Sequence, residues 1–413
     1  MIPGADALQS LWPDPLNYAA VRAKAQVGSP WPELFRCVET QCVMQTHNLV
    51  LESLARHRKV VLFAVDAIPW RVLSRNARHF GTLVPATSMG PTSSAAVWSS
   101  VLRGVPPYVH GLHGVVMYDA KRGCTVSALS NSTFSLDGSV DTTANLDLFL
   151  DGRDGLFAEA KRRFGTTSHF LGLVAFTDTA TLGRHLAAGT NWHIGDDYQA
   201  LLETPLRLLS TYRSRILSTL SELSKSTLLY CFLDLDTYFH THPYSDPLAD
   251  TFLDGLSKFA NELQSRFDAC TLFVSDHGMM EQPVDPDAKS VGLDPWIWER
   301  SYARPGGAGR VHFFYPRDVH CGAMREYLID GLEGSGIVLS RDQYLAELAA
   351  PHATDVRGRD RIGELVAIAT RPDFPSVMRF ALQEHGSYTE DEMFVGMGII
   401  GGNRGVSDED VAN

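Results

Sequence analysis

The chain has no apolar run approaching the roughly 18 residues of a membrane-spanning helix. Its amino terminus, MIPGADALQSLWPDPL, has neither a basic n-region nor an apolar h-region, which argues against a secretory leader. No Cys-x-x-Cys spacing occurs among Cys37, Cys42, Cys124, Cys231, Cys270 and Cys321. Zinc-ribbon and dithiol redox motifs are thereby set aside, and buried reduced thiols are the expectation. Lys and Arg are scattered and the formal net charge is -12, so the basic footprint that a nucleic-acid polymer requires is missing. There is no internal repeat and no low-complexity segment. With 44% hydrophobic and 20% charged residues, disordered and fibrous classes fall away as well. With these absences a folded cytoplasmic protein without membrane association is the expectation. A small anionic substrate stays open, because bound divalent cations supply positive charge that a residue count omits.

The 413 residues suffice for one large α/β domain with an insertion. VVLFAVD, LLYCFLDLD and TLFVSDHG are short continuous apolar runs, as strands buried on both faces of a parallel sheet require. HFLGLVAF reads as a further strand. Between them lie helical patterns: residues 32–56, PWRVLSRNARHF, AAVWSSVLR, GLFAEAKRRF, residues 198–225 and DPLADTFLDGLSKFANELQSRF. Alternation of this kind predicts an α/β sandwich around a central, largely parallel sheet with helices on both faces. The stretch from Gly111 to about Asp151 reads as loop-rich, and residues 281–375 lose the regular pattern and read as an inserted cap. The expected organisation is an N-terminal extension and helix (1–56), a catalytic core (57–280), the cap, and a return to the core (376–413).

Asp66, Asp236 and Asp276 each follow an apolar strand. A parallel sheet would gather them at its carboxyl edge, where α/β proteins place their sites. One such carboxylate is ordinarily a turn or cap former; three of them with His240, His277 and His385 form a ligand set. Asp236 and His240, four apart, reach one ion if the chain turns there. Mixed carboxylate and imidazole ligation suits Zn²⁺, Mn²⁺ or Fe better than Ca²⁺ or Mg²⁺. Two divalent ions roughly 4 Å apart hold the attacking and leaving oxygens of a phosphoryl group. Ser94 precedes AAVWSSVLR, with Gly104 suited to a C′ position and Pro106 and Pro107 beyond it, so it lies at a helix N-terminus that favours an anion. Alone, this serine run would most simply be an N-cap; beside the ligand set, Ser94 becomes the candidate nucleophile and a metal ligand. Trp98, one turn further on, is a candidate leaving-group contact or a core residue. Trp296 and Trp298 offer a stacking surface or cap packing, and His242 and His110 read as structural.

These motifs resemble the alkaline phosphatase superfamily, and within it the type I phosphodiesterase/nucleotide pyrophosphatase family, from Val60 to about Gly402. The specific segments are PTSS through Gly104 and Pro107 to His110-Gly111, the pair Asp236 and His240, and SDHGM. The resemblance implies one metal held by Asp236, His240 and His385, and a second by Asp66, Asp276 and His277, with Ser94 between them. It also implies a phospho-serine intermediate that water then hydrolyses, on a small phosphodiester or nucleotide-like substrate. Alternatives with the same machinery are a phosphomonoesterase, a phosphonate hydrolase, a phosphoryl transferase or mutase, and a metal-binding scaffold without turnover. A sulfatase would need C/S-x-P-x-R where this chain has Ser94 followed by Ala95, Ala96 and Val97. The chain departs from the family twice. Ser94 stands where the family usually has Thr, and Val115 stands where an Asn usually donates to a nonbridging phosphate oxygen. His113, Tyr118 and a backbone amide near Ala95 are the candidates to replace that donor.

Overall fold

The computed structural model describes residues 18–27, 29–76, 80, 82–130, 132–142, 148–172, 187–194, 204–222, 226–285, 290–351, 353–378 and 380–400. The expectations for residues 1–17 and 401–413, and for the outer parts of 169–176 and 198–225, lie outside these. Seven strands make the first sheet: β1 (Lys59–Val65), β2 (Thr82–Thr87), β7 (Thr167–Gly172), β8 (Asn191–Ile194), β9 (Thr227–Leu233), β10 (Cys270–Ser275) and β17 (Phe394–Ile400). Their order is β2-β17-β10-β1-β9-β7-β8. Every pairing from β10 to β8 is parallel, while β17 runs antiparallel to both neighbours. Helix α1 (Thr46–Arg56) packs with α2 (Ser94–Arg103) and α3 (Leu156–Phe164), and also against β1 and β10. Helices α4 (Pro205–Glu222) and α6 (Pro247–Phe267) pack together against β9 and β10. With helices on both faces, β9 and β10 are buried along their whole length and have no polar face to show. The architecture is the α/β sandwich with a largely parallel sheet that the alternating pattern predicts.

Local chemistry explains the helix ends. Asp246 accepts the Leu248 N–H at 2.8 Å ahead of Pro247, which opens α6, and Gly104 (φ 63°) ends α2 in the left-handed conformation. Two segments differ from the sequence reading. Residues 32–45 hold only two short 3₁₀ turns, Glu39–Gln41 and Val43–Gln45, because tertiary pairing claims this backbone: Cys42 bridges to Thr87, whose hydroxyl accepts the Val38 N–H. The loop-rich stretch carries β3 (Val116–Asp119), β4 (Cys124–Ser127), β5 (Thr133–Phe134) and β6 (Val140–Asp141). Strands of two to four residues are too short to show a period. They continue a second, eight-stranded sheet with β12 (Gly306–Ala308), β13 (Val311–Phe314), β14 (Gly336–Ser340) and β15 (Leu365–Ala369), in the order β14-β15-β13-β12-β3-β4-β5-β6. A two-stranded ribbon, β11 (Met280–Glu281) with β16 (Gln383–Glu384), completes the strands. Among the described residues no helix is long and apolar enough to cross a membrane, and all six cysteines are free thiols.

Candidate active site

The register of the first sheet sets the site. Val65 pairs with Leu233 on one side and Ser275 on the other, so the residues that follow, Asp66, Asp234 and Asp276, leave three adjacent strands at one level. Ala67 turns away at once in the left-handed region (φ 62°), and its N–H donates to Asp276 Oδ1 at 3.2 Å. Ser275 Oγ ties the two strand ends further, accepting the Ile68 N–H at 2.9 Å and donating to the His277 carbonyl at 3.2 Å. Beyond β9, Asp234 accepts from the N–H and hydroxyl of Thr237, which starts the single turn α5 (Asp236–Phe239). That turn brings His240 Nε2 within 3.2 Å of Asp236 Oδ2. His385 arrives after β16, with Nε2 at 3.5 Å from Asp236 Oδ1.

Two ligand clusters result: Asp236, His240 and His385; and Asp66, Asp276 and His277. They adjoin, with the His277 and His385 rings stacked at 4.0 Å. Ser94 is the first residue of α2. Its hydroxyl lies 3.3 Å from Asp66 Oδ2 and 3.3 Å from His277 Nε2. No side chain caps α2, so its first-turn amides, Ala95 among them, keep free donors beside that hydroxyl.

The donors fit divalent cations. Nδ1 of His240 donates to the Gln383 carbonyl (2.8 Å), Nδ1 of His385 to that of Thr92 (2.6 Å) and Nδ1 of His277 to that of Gly278 (3.2 Å). A carbonyl can only accept, so each Nε2 is left with a lone pair facing carboxylates, as in metal-ligating histidines. Asp236 Oδ1 and Asp276 Oδ2 are buried without a hydrogen-bond partner, which is costly unless a cation supplies the missing charge. Burial first, then the charges of Asp276, Asp236 and Asp234, pushes Asp66 well above the usual carboxylate range; burial likewise raises Asp276 to about 7. Burial would raise Asp236 too, yet His240 and His385 outweigh it and hold it low, while Asp236 raises His240 to about 10 against the effect of burial.

A cavity of about 400 Å³ opens above Ser94, Asp236, His240 and His385. Val115, at the position of the family Asn, is on its wall. The three residues read as substrate contacts are not. Trp98 is 3% exposed, its ring edge-on to Tyr230 and Phe232 in the core. His113 Nε2 donates to the Arg357 carbonyl at 2.7 Å, and Tyr118 packs among Tyr302 and Tyr315. Trp296 stacks on Tyr327 (4.2 Å), leaving Trp298 as the tryptophan on the wall. His242 stacks on Tyr238, and His110 meets Ser100 Oγ at 2.8 Å. Sequence reading passed over Glu384 and Arg304, both on the cavity wall. The acid immediately before a ligand histidine was a signal for the first; a lone arginine before Pro-Gly-Gly was none for the second.

Strand-end carboxylates and imidazoles gathered around a helix-borne serine, on an alkaline-phosphatase-like fold, are the arrangement expected of the alkaline phosphatase superfamily. Residues 60–387 match the model of the type I phosphodiesterase/nucleotide pyrophosphatase family, and the chain belongs to that family of phosphoester hydrolases. No curated protein matches the sequence. Similar solved structures include murine ectonucleotide pyrophosphatase/phosphodiesterase 5, at TM-score 0.60 and 15% identity over 84% of this chain and 88% of that one. Phosphonoacetate hydrolase from Sinorhizobium meliloti 1021, in complex with phosphonoformate, superimposes at TM-score 0.57 and 16% identity over 83% and 89%. At this identity both show a shared fold.

Proposed function

We propose that the chain hydrolyses a small phosphodiester through Ser94, with one divalent cation held by Asp236, His240 and His385 and a second by Asp66, Asp276 and His277. The observation that carries this reading is the Ser94 hydroxyl, 3.3 Å from Asp66 and from His277 at an uncapped helix start, beside two clusters of convergent Nε2 and carboxylate atoms. When bound, divalent cations supply Lewis acidity to a phosphoryl oxygen and make a nearby hydroxyl more acidic. Ser94 Oγ bonds to phosphorus while the bond to the leaving oxygen breaks, and the proton shed by the hydroxyl balances the one taken up by the departing alkoxide. Water then adds to phosphorus and releases Ser94. The Ala95 amide, at the first turn of α2, supports the developing charge on a nonbridging oxygen where Val115 has no donor. Imidazole and carboxylate donors favour zinc, with manganese or iron as the other choices. The six free thiols support a reducing, cytoplasmic setting.

Metal analysis of the purified protein, with rates on bis-p-nitrophenyl phosphate, p-nitrophenyl phosphate, a phosphonate and a sulfate ester, tests the reading. Two equivalents of transition metal and fastest turnover of the diester are expected. Fastest turnover of the phosphonate would move the chain toward the chemistry named for the Sinorhizobium protein, and inertness of the metal-loaded protein on all four would refute hydrolysis.

A further inference from the structure

The cavity above Ser94 is far larger than a phosphoryl group needs and falls in the range that encloses a whole small ligand. Away from the ligand clusters its wall is largely apolar, with Val115, Val116, Leu129, Phe134, Leu293 and Met378. Among the described residues the only Lys or Arg on that wall is Arg304. Its guanidinium carbon lies 4.7 Å from the centroid of the Trp298 ring, which is itself pinned by its Nε1 donating to the Gly292 carbonyl at 3.0 Å. Pro305 and β12 follow at once, and β12 lies tight against β3: a Cβ on Gly306 would come within 2.5 Å of the Val116 carbonyl oxygen. The arginine is therefore placed by a closely packed strand and by stacking, with its planar fork uncommitted. It makes no hydrogen bond or ion pair with any described residue, and its Nε is buried without a partner. Exposed Asp137 feels its charge but forms no ion pair with it. Buried guanidinium donors are costly to leave unmet, and the fork geometry matches an oxyanion.

Resting on the reading of this cavity as a phosphoester-hydrolase site, we infer that its substrate carries a second oxyanion, a carboxylate or phosphate on the far side of an apolar body, and that Arg304 is the specificity residue that binds it. The stacked guanidinium covers one face of Trp298, so selection here works by charge more than by stacking of a base.

The test uses p-nitrophenyl phenyl phosphate and the same diester with a carboxylate or a phosphate on the phenyl ring, read by p-nitrophenolate release. The zinc-loaded protein is expected to favour the anionic diesters by at least about tenfold in kcat/KM, the scale of one charge-assisted hydrogen bond. Whether the carboxylate or the phosphate shows the larger ratio identifies the anion. In Arg304→Met that ratio falls toward one, and in Arg304→Lys, which keeps the charge but loses the fork, it is intermediate. No preference in the parent protein, or an unchanged ratio in Arg304→Met because both rates fall together, overturns the inference. Calorimetry with phenylphosphonate against 4-carboxyphenylphosphonate and 4-phosphonophenylphosphonate reads the same discrimination without turnover. If every diester is inert, hydrolysis fails as a function while the calorimetric ratio still decides the role of Arg304.

Discussion

Ser94 shows how little one residue says alone and how much its surroundings say. In sequence it is the third member of a Thr-Ser-Ser run, any of which could cap a helix; in the fold its neighbour Ser93 takes the N-cap position and makes no capping bond. The hydroxyl of Ser94 is turned to Asp66 and His277 instead. Ser94→Ala is expected to lower turnover by at least about a thousandfold, since removal of a nucleophile leaves only binding and electrostatic assistance. Metal content is expected to stay the same, and retained turnover with full metal content would remove Ser94 from the mechanism. The ligand candidates were legible because each carboxylate follows an apolar run and a strand must end somewhere. Arg304 and Glu384 were not legible: no period marks them, and they reach the cavity through the second sheet and the β11-β16 ribbon.

The loop carrying His385 owes its place to elements far away in sequence. The Thr92 carbonyl accepts from His385, and the Thr92 hydroxyl accepts the Gly386 N–H and donates to the Ser387 carbonyl, which ties the ligand to the segment leading into α2. From the second sheet, the Arg310 N–H donates to the His385 carbonyl. Its guanidinium pairs at 3.2 Å with Glu392, both fully buried, and Glu392 also accepts from the Ser387 N–H and the Thr389 hydroxyl. Breaking a buried pair strands a charge, so Glu392→Gln is expected to cost about 3–5 kcal/mol in a denaturant melt and to weaken zinc retention in a chelator competition. A loss confined to zinc, with the midpoint unmoved, would contradict a structural origin. Gly386 (φ 122°) sits where a Cβ would meet the Ala308 carbonyl oxygen at 2.0 Å. On the proposed two-metal reading, Gly386→Ala should therefore displace His385 and reduce bound zinc from two equivalents toward one, as measured by elemental analysis; two retained equivalents would separate His385 from the site. Gly386 follows His385 directly, yet the need for it appears only when β12 is packed against the loop.

At the scale of the whole molecule the proposed ligands join distant parts of the chain, so on that reading metal, protons and folding are linked. Burial raises Asp276 from the ordinary 3.8 to about 7, and Asp66 moves in the same direction. A carboxyl raised in the folded state holds protons that the unfolded chain has released, so these groups take stability from the metal-free fold as pH rises between those values. His240, raised to about 10, contributes stability that is full below 6.5 and lost as pH climbs toward 10, the same sense. A cation replaces these protons. The rise in Tm on adding zinc is therefore expected to grow from about pH 5 to about pH 8 and to grow less in Asp276→Asn; an increment that is flat or shrinking in the parent protein would rule out proton-linked binding at these clusters. The difference between zinc-loaded and metal-free protein is the proper measure, because buried His113 and His312, both lowered to about 4 by burial first, titrate in the opposite sense in either form. The sequence by itself determined the central strands β1, β9 and β10, the family, and the carboxylates and histidines with the chemistry to hold cations, because apolar runs and residue types are local information. Tertiary structure decided the rest: that three strand ends lie level, that Trp98 and His113 are buried away from the cavity while Tyr118 packs on Tyr302 and Tyr315, and that strands of two to four residues join β12 to β15 in a second sheet. Those outcomes depend on parallel register and on contacts between segments more than a hundred residues apart, which no local pattern encodes.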